Sequence, residues 1–430
     1  MSRILSKELA DHVGERVEVM GWLHQLRRLG GVNFLIVRDR AGMTQVVLED
    51  TRALAHALAE SVLRVEGRVV AEPQAPGGYE LHDAQVEVLV AVSEALPFPI
   101  NKPVLNVSLD TFLDHAIVGL RHPQRRALFR LAAGVMAGFR ATLTELGFTE
   151  IQTPKLVSAA TEGGANVFRV DYFGRPAYLA QSPQFYKQMM VTVFERVFEV
   201  GPVFRAEPHD TTRHINEYVS LDVEMGFIRD HRDVMAVVER VVHGILDHLQ
   251  THEAEAWAQW DIVRPLTPPT FPTIYFPDAQ QLICERWGED CRGEPDLAPQ
   301  HERWLGEWAR ATYDSDFLFV TGYPMEKRPF YTHPNLDDPR FSNSFDLLFR
   351  GTELITGGQR LHRYQDYLEA AGARGIALEA IAGYLETFRY GAPPHGGFAI
   401  GLERFLMQLL GLSNIREATL FPRDLTRLTP

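Results

Sequence analysis

Cysteine is almost absent. Cys284 and Cys291 are the only two in 430 residues, and their spacing fits neither a paired zinc motif nor a disulfide framework, which leaves two reduced thiols. No apolar run reaches the roughly 18 residues that a membrane span requires. The N-terminal MSRILSKELADHV carries charges where a signal peptide needs its apolar stretch, so a cytoplasmic protein with no membrane partner is expected. An excess of positive charge is missing too. The net charge of −13 excludes a surface coated in non-specific affinity for nucleic acid, yet it permits a local basic groove. Internal repeats and low-complexity tails are also lacking. What remains is an ordinary globular composition, long enough for two or three domains.

From Val17 to about Leu96 the chain runs in short alternating segments separated by turn signals: VEVMGWLHQL, VNFLIVRDR, MTQVVLED, VLRVEGRVV and YELHDAQVEVLV. Five such segments predict a small β-barrel of the OB type over residues 1–97, with a short β-sandwich as the alternative. TRALAHALAE has helical spacing where such a barrel carries its helix. A proline-rich stretch follows, and residues 98–122 are read as a linker. Residues 123–430 form the second domain. HPQRRALFRLAAGVMAGFRATLTELG predicts a long helix that starts near a proline and ends at Gly147, and FTEIQTPKL reads as a strand. Beyond it strands and helices mix without βαβ alternation, which predicts an α+β class with an antiparallel sheet flanked by helices. Trp257 to Asp316 reads as a variable insertion.

Three stretches carry chemistry. In FRAEPHDTTRHINEY (204–218), Arg205 and Glu207 stand at i and i+2, on one face of a strand, as a salt bridge or as an anion grip beside an amine acceptor. Arg213 and His214 would sit at a hairpin tip, where cations suit a polyphosphate. His209 and His214 match no zinc spacing. In HGGFAIGLERF, glycines precede Glu403 and Arg404 and would let backbone approach a ligand, while Arg404 can stack on a base. No Walker loop or dinucleotide fingerprint is present. In SFDLLFRGTELITGGQR, Asp346 and Glu353 occupy an apolar setting and are either magnesium ligands beside a phosphate or solvated acids at strand ends.

GFTEIQTP (147–154), FRAE…RHINEY (204–218) and GGFAIGLER (396–404), in that order, resemble motifs 1, 2 and 3 of class II aminoacyl-tRNA synthetases. Ala399 stands where the third motif often has glycine. With a barrel in front, the chain is similar to the aspartyl, asparaginyl and lysyl subgroup. Lacking a large insertion between motifs 2 and 3, it resembles the shorter archaeal type of aspartyl enzyme. The resemblance implies ATP-dependent aspartylation of tRNA through an aspartyl-adenylate, with Arg205 and Arg404 as the catalytic arginines. It assigns Glu162, Gln184, Lys187, Arg205, Thr356 and Arg360 to L-aspartate, Lys187 and Arg360 being cations that asparagine would leave unpaired. Arg205, Glu207, Arg213, His214, Tyr218, Glu353, Gly401 and Arg404 go to ATP, and Asp346, Glu353 and Thr356 to Mg2+. Tyr218 replaces the family's more usual phenylalanine against the adenine. In the barrel, Phe34 and Gln45 would read the anticodon, with Arg27, Arg28, Arg38 and Arg40 near its phosphates. Core packing is the alternative for Phe34. His24 and Pro76 match the relaxed enzymes that charge tRNA(Asn) as well as tRNA(Asp). A homodimer through motif 1 around Pro154 is implied too.

Overall fold

The computed structural model describes residues 2–158 and 166–430, and the chain divides into two compact units, Met1–His122 and Pro123–Pro430. In the first, five strands, β1 (Arg16–Leu29), β2 (Val32–Arg38), β3 (Met43–Leu48), β4 (Val62–Ala71) and β5 (Tyr79–Val90), pair in the order β1-β2-β3-β5-β4, and β4 returns to β1. The ring is closed, so the sandwich alternative falls. Alternation decides what fills it: Val46 and Leu48 of β3 point inward with Val17, Val19, Leu35, Val37, Leu63, Val65 and Leu81. TRALAHALAE does not form the expected helix. It yields one 3₁₀ turn, Arg52–Leu54, with Leu54 buried against the barrel core, because an isolated segment this short cannot offset the cost of helix nucleation.

The second unit is built on an eight-stranded sheet. Its strands are β6 (Thr149–Glu150), β7 (Arg196–Phe204), β8 (Glu217–Gly226), β9 (Thr273–Tyr275), β10 (Phe317–Thr321), β11 (Ser344–Phe349), β12 (Thr352–Gln359) and β13 (His395–Gly401), in the order β9-β10-β11-β12-β13-β8-β7-β6. The five central pairings are antiparallel as expected, but β9 with β10 and β6 with β7 are parallel, so the sheet is mixed. Parallel neighbours need a crossover, and helices Phe276–Trp287 and Pro299–Tyr313 supply it between β9 and β10. The stretch read as an insertion is therefore part of the sheet's edge. Motif 1 contributes only two ladder residues. Past them the chain is held by the buried Glu199 carboxylate, which accepts from the Thr153 hydroxyl (2.7 Å) and from Lys155 (2.6 Å).

Helices α1 (Pro123–Glu145) and α3 (His231–His252) cover one face of the sheet, over Phe198, Val223, Phe345, Ile355 and Phe398. They approach closely because Gly138 of α1 faces Ile245 and Gly244 of α3 faces Thr142, where an added Cβ would collide. α1 stops short of Gly147, which takes a positive φ of 78°. The opposite face alternates with this one and is polar. Across it Asp346, Thr356, Ala399, Asp222 and Glu199 stand directly opposite one another on five successive strands, and the middle three of this row, Thr356, Ala399 and Asp222, form the floor of the site.

Candidate active site

One cavity of about 470 Å3 opens over that row. It gathers Gln184, Lys187, Arg205, Glu207, Arg213, His214, Tyr218, Glu353, Thr356, Arg360, Gly401 and Arg404, which lie up to 220 positions apart in sequence. Ala399 lies mid-floor, opposite both Asp222 and Thr356, where a larger side chain would fill the space. Glu162 lies outside the described residues.

At one end, α2 (Gln184–Phe194) presents Gln184, Lys187, Gln188 and Val191 as a buried stripe at helical spacing. Lys187 is 1% exposed. Its Nζ lies 3.0 Å from Asp222 Oδ1, 3.3 Å from the Phe398 carbonyl and 3.4 Å from Glu224 Oε2. Arg360 donates from Nε to Glu224 (3.0 Å) and from a terminal nitrogen to the Gly397 carbonyl (3.0 Å). Burial alone would raise the Glu224 pKa, but Arg360 and Lys187 beside it more than offset this and hold it below the usual carboxylate range. Both cations are therefore already paired with buried carboxylates, which corrects the expectation that asparagine would leave them unpaired. What remains is the rest of the Arg360 fork and the buried amide nitrogen of Gln184, which has no hydrogen-bond partner among the described residues. Behind Arg360 the amide of Gln188, the hydroxyls of Tyr367 and Tyr384 and the ring of His395 bond one another. Burial brings the His395 pKa down to about 4.

The other end is looser. Arg205 reaches Glu207 only at 3.8 Å and lies over the Tyr218 ring at 5.8 Å. His214 is 3.6 Å from Glu207, and burial lowers its pKa. Arg404 donates to the Glu353 carbonyl (3.1 Å) and carboxylate (3.3 Å), and the Thr356 hydroxyl donates to the same carboxylate (3.3 Å). Asp346 does not reach the cavity wall. It is 4% exposed, with Oδ2 bonded to Arg328 at 3.0 Å and Oδ1 buried without a hydrogen-bond partner among the described residues. Burial and the charge of Asp346 push the Glu353 pKa up. Burial and the charges of Glu353 and Asp346 push Glu302 to about 7. An orphaned carboxylate oxygen among mutually repelling acids fits a hard divalent cation. Among the described residues no group of three or more His, Cys, Asp or Glu could hold a metal ion, so the arrangement suits an ion that takes further oxygens from a bound phosphate.

Several site residues escape a reading of motifs. Ser220, Asp222 and Glu224 follow Tyr218 at intervals of two, so strand alternation in YVSLDVEM already places all four on one face. Glu403 is buried beside its neighbour in the third motif; it accepts from the Val219 N–H (3.1 Å), and burial pushes its pKa up to about 7. Asp210 is bonded to Arg416 (2.6 Å), which ties the motif 2 loop to the C-terminal segment through Asp424. No sequence signal pointed to Arg328, Glu302 or Arg416.

In the barrel, Phe34 is half-buried and outward-facing, since its neighbours Leu35 and Val37 fill the core. Register puts Gln25, Arg27 and Gln45 on the same face as Phe34, and Gln45 donates to Glu80 (2.8 Å). Arg28 is opposite Asn33 and so belongs to the other face, exposed at the hairpin end. Arg38 is not available to a phosphate: it is 3% exposed, bonded to Glu60 at 2.6 Å and stacked on Trp22. His24 is buried at a bulge in β1, where burial and the Arg38 charge lower its pKa. Pro76 opens a 3₁₀ turn between β4 and β5.

Residues 108–425 match the family described as tRNA synthetases class II (D, K and N), and residues 17–89 match the OB-fold nucleic acid binding domain. The aspartate--tRNA(Asp/Asn) ligase of Deinococcus radiodurans is 48% identical over 100% of this chain and 99% of its own. That of Thermus thermophilus is 48% identical over the whole of both. The crystal structure of asparaginyl-tRNA synthetase from Pyrococcus horikoshii with asparaginyl-adenylate superposes with a TM-score of 0.93 at 32% identity, covering 100% of both chains. The polar cavity over the mixed sheet, the barrel and these full-length matches agree: the chain belongs to the class II aminoacyl-tRNA synthetases of the aspartyl, asparaginyl and lysyl group.

Proposed function

We propose that this enzyme activates L-aspartate with ATP and transfers it to both tRNA(Asp) and tRNA(Asn). One observation carries the reading: a single cavity joins a buried, donor-lined pocket to an open cationic end faced by acids. In the first step an oxygen of the aspartate α-carboxylate attacks the α-phosphorus of ATP, and the bond to pyrophosphate breaks. Arg205 grips the α-carboxylate and α-phosphate together, and Arg404 offsets the charge that develops. Arg213 and His214 steer the β and γ phosphates, Glu207 accepts from the adenine amine, and the ring stacks on Tyr218. Gly401 lines the cavity, where a residue without a side chain lets backbone approach the nucleotide. Asp346, Glu353 and Thr356 would hold a magnesium ion, which offsets phosphate charge when bound. In the second step the tRNA 3′-terminal hydroxyl attacks the aspartyl carbonyl carbon and AMP leaves. Alignment of reactants contributes the largest share, up to about 7 to 11 kcal/mol in favourable cases.

Aspartate is favoured because the unengaged groups facing the side chain are donors. Arg360 has no acceptor at all, and a carboxylate accepts only, whereas the asparagine NH2 would meet donors. The names of the Deinococcus and Thermus relatives, with His24 and Pro76, support charging of both tRNAs. Phe34 stacks an anticodon base and Gln45 reads an edge. A twofold dimer through motif 1 and a cytoplasmic location complete the reading, in keeping with the lack of a helix able to cross a membrane among the described residues.

Purified tRNA(Asp) and tRNA(Asn) transcripts assayed side by side test it. Both should accept aspartate, and acceptance by tRNA(Asp) alone would overturn the relaxed specificity. Phe34→Ala should lower kcat/KM for tRNA by about ten- to a hundredfold while leaving ATP–pyrophosphate exchange unchanged.

A further inference from the structure

The structure assigns Glu302 a positioning role: its carboxylate holds Glu353 in the backbone conformation that turns this acid into the cavity. Strict alternation along β12 from Thr356, which faces the cavity, would send Ile355 to the core, Leu354 to the cavity and Glu353 to the core. The ladder does not follow that count. Leu347 pairs with Ile355 but Leu348 with Glu353, so Leu354 is an extra residue in a β-bulge. Both Leu354 and Glu353 consequently line the cavity.

A bulge disturbs the ladder, and here the Glu353 N–H is met from outside the sheet, by Glu302 Oε2 at 3.2 Å. Glu302 belongs to α4 (Pro299–Tyr313), the second helix of the stretch that resembled an insertion. That helix can reach the bulge because two glycines let backbones touch. A Cβ on Gly306 would lie 2.5 Å from Gly351 N, and one on Gly351 would lie 2.7 Å from the Arg303 Cα. Glu302 does not itself line the cavity, so it acts through Glu353. The crossover between β9 and β10 thus has a task at the reaction centre beyond closing the sheet.

This inference rests on the reading of Glu353 as a nucleotide and magnesium residue. Its test compares Glu302→Gln, which keeps an acceptor oxygen, with Glu302→Met, which has similar volume and no acceptor; both lack the charge. Binding of Mn2+ in the presence of ATP is followed by electron paramagnetic resonance, alongside the Mg2+ dependence of ATP–pyrophosphate exchange. Glu302→Met should weaken the ion about tenfold or more and leave the aspartate KM within about twofold, while Glu302→Gln stays near wild type. Should Glu302→Met fail to fold, Gly306→Ala, which displaces the helix, should give the same loss. Wild-type Mn2+ binding by the folded Glu302→Met or Gly306→Ala protein, with Glu353→Gln impaired, overturns the positioning role alone. If Glu353→Gln also binds like wild type, the reading of Glu353 falls with it.

Discussion

The two ends of the cavity solve opposite problems. Around Lys187 and Arg360 every cation already has a buried carboxylate partner near 3.0 Å, and Glu224 remains ionised because of them. Around Arg205, His214 and Arg404 the pairs are longer, 3.3 to 3.8 Å, and the side chains are partly exposed. The acids beside them repel one another. A small ligand distinguished by a single polar group calls for a rigid pocket whose shape exists in advance. A large, highly charged nucleotide can complete its own site. Stability is therefore invested at the first end and left unclaimed at the second.

That contrast can be broken by substitution, beginning with the largest effect. Arg205→Ala should lower aspartate-dependent ATP–pyrophosphate exchange about 10³-fold, with a thermal midpoint close to wild type because the side chain is partly exposed and its contact with Glu207 is long. Lys187→Met should raise the aspartate KM by about a hundredfold and also destabilise the fold by about 3 to 5 kcal/mol, since Asp222 and Glu224 lose a buried partner. Denaturant unfolding of both variants separates the two ends; equal stability would erase the distinction.

Acid should probe the first end more gently. The His395 pKa of about 4 lies below its value in an unfolded chain, so between about pH 6.5 and 4 the unfolded state binds the extra proton. Stability contributed by the neutral ring is then complete above that window and lost as the pH falls through it, by up to about 3 kcal/mol. Unfolding midpoints of wild type and His395→Asn from pH 7 to 4 should show a shallower acid slope in the variant. An unchanged slope would remove His395 from the account.

How much of this was legible in the sequence follows the same division. The cations and the ligand-facing acids of the open end announced themselves through motif spacing, and barrel strands through alternation. The rigid end was half legible. Lys187 and Arg360 could be named, but their partners Asp222 and Glu224 were not, because ion pairing between α2, β8 and β12 depends on sheet register. Glu353 was named for the right neighbourhood, yet the bulge that aims it and Glu302 behind it arise from contacts across some 50 residues. Arg38 misled for a related reason: an arginine on a barrel strand looks exposed until Glu60 and Trp22 are seen to enclose it.

The prebuilt pocket is the central claim, and amino-acid-dependent ATP–pyrophosphate exchange tests it most directly. Measured side by side, aspartate should exceed asparagine in kcat/KM by about 10⁴-fold. Comparable exchange with asparagine would contradict a pocket whose unengaged groups await a carboxylate.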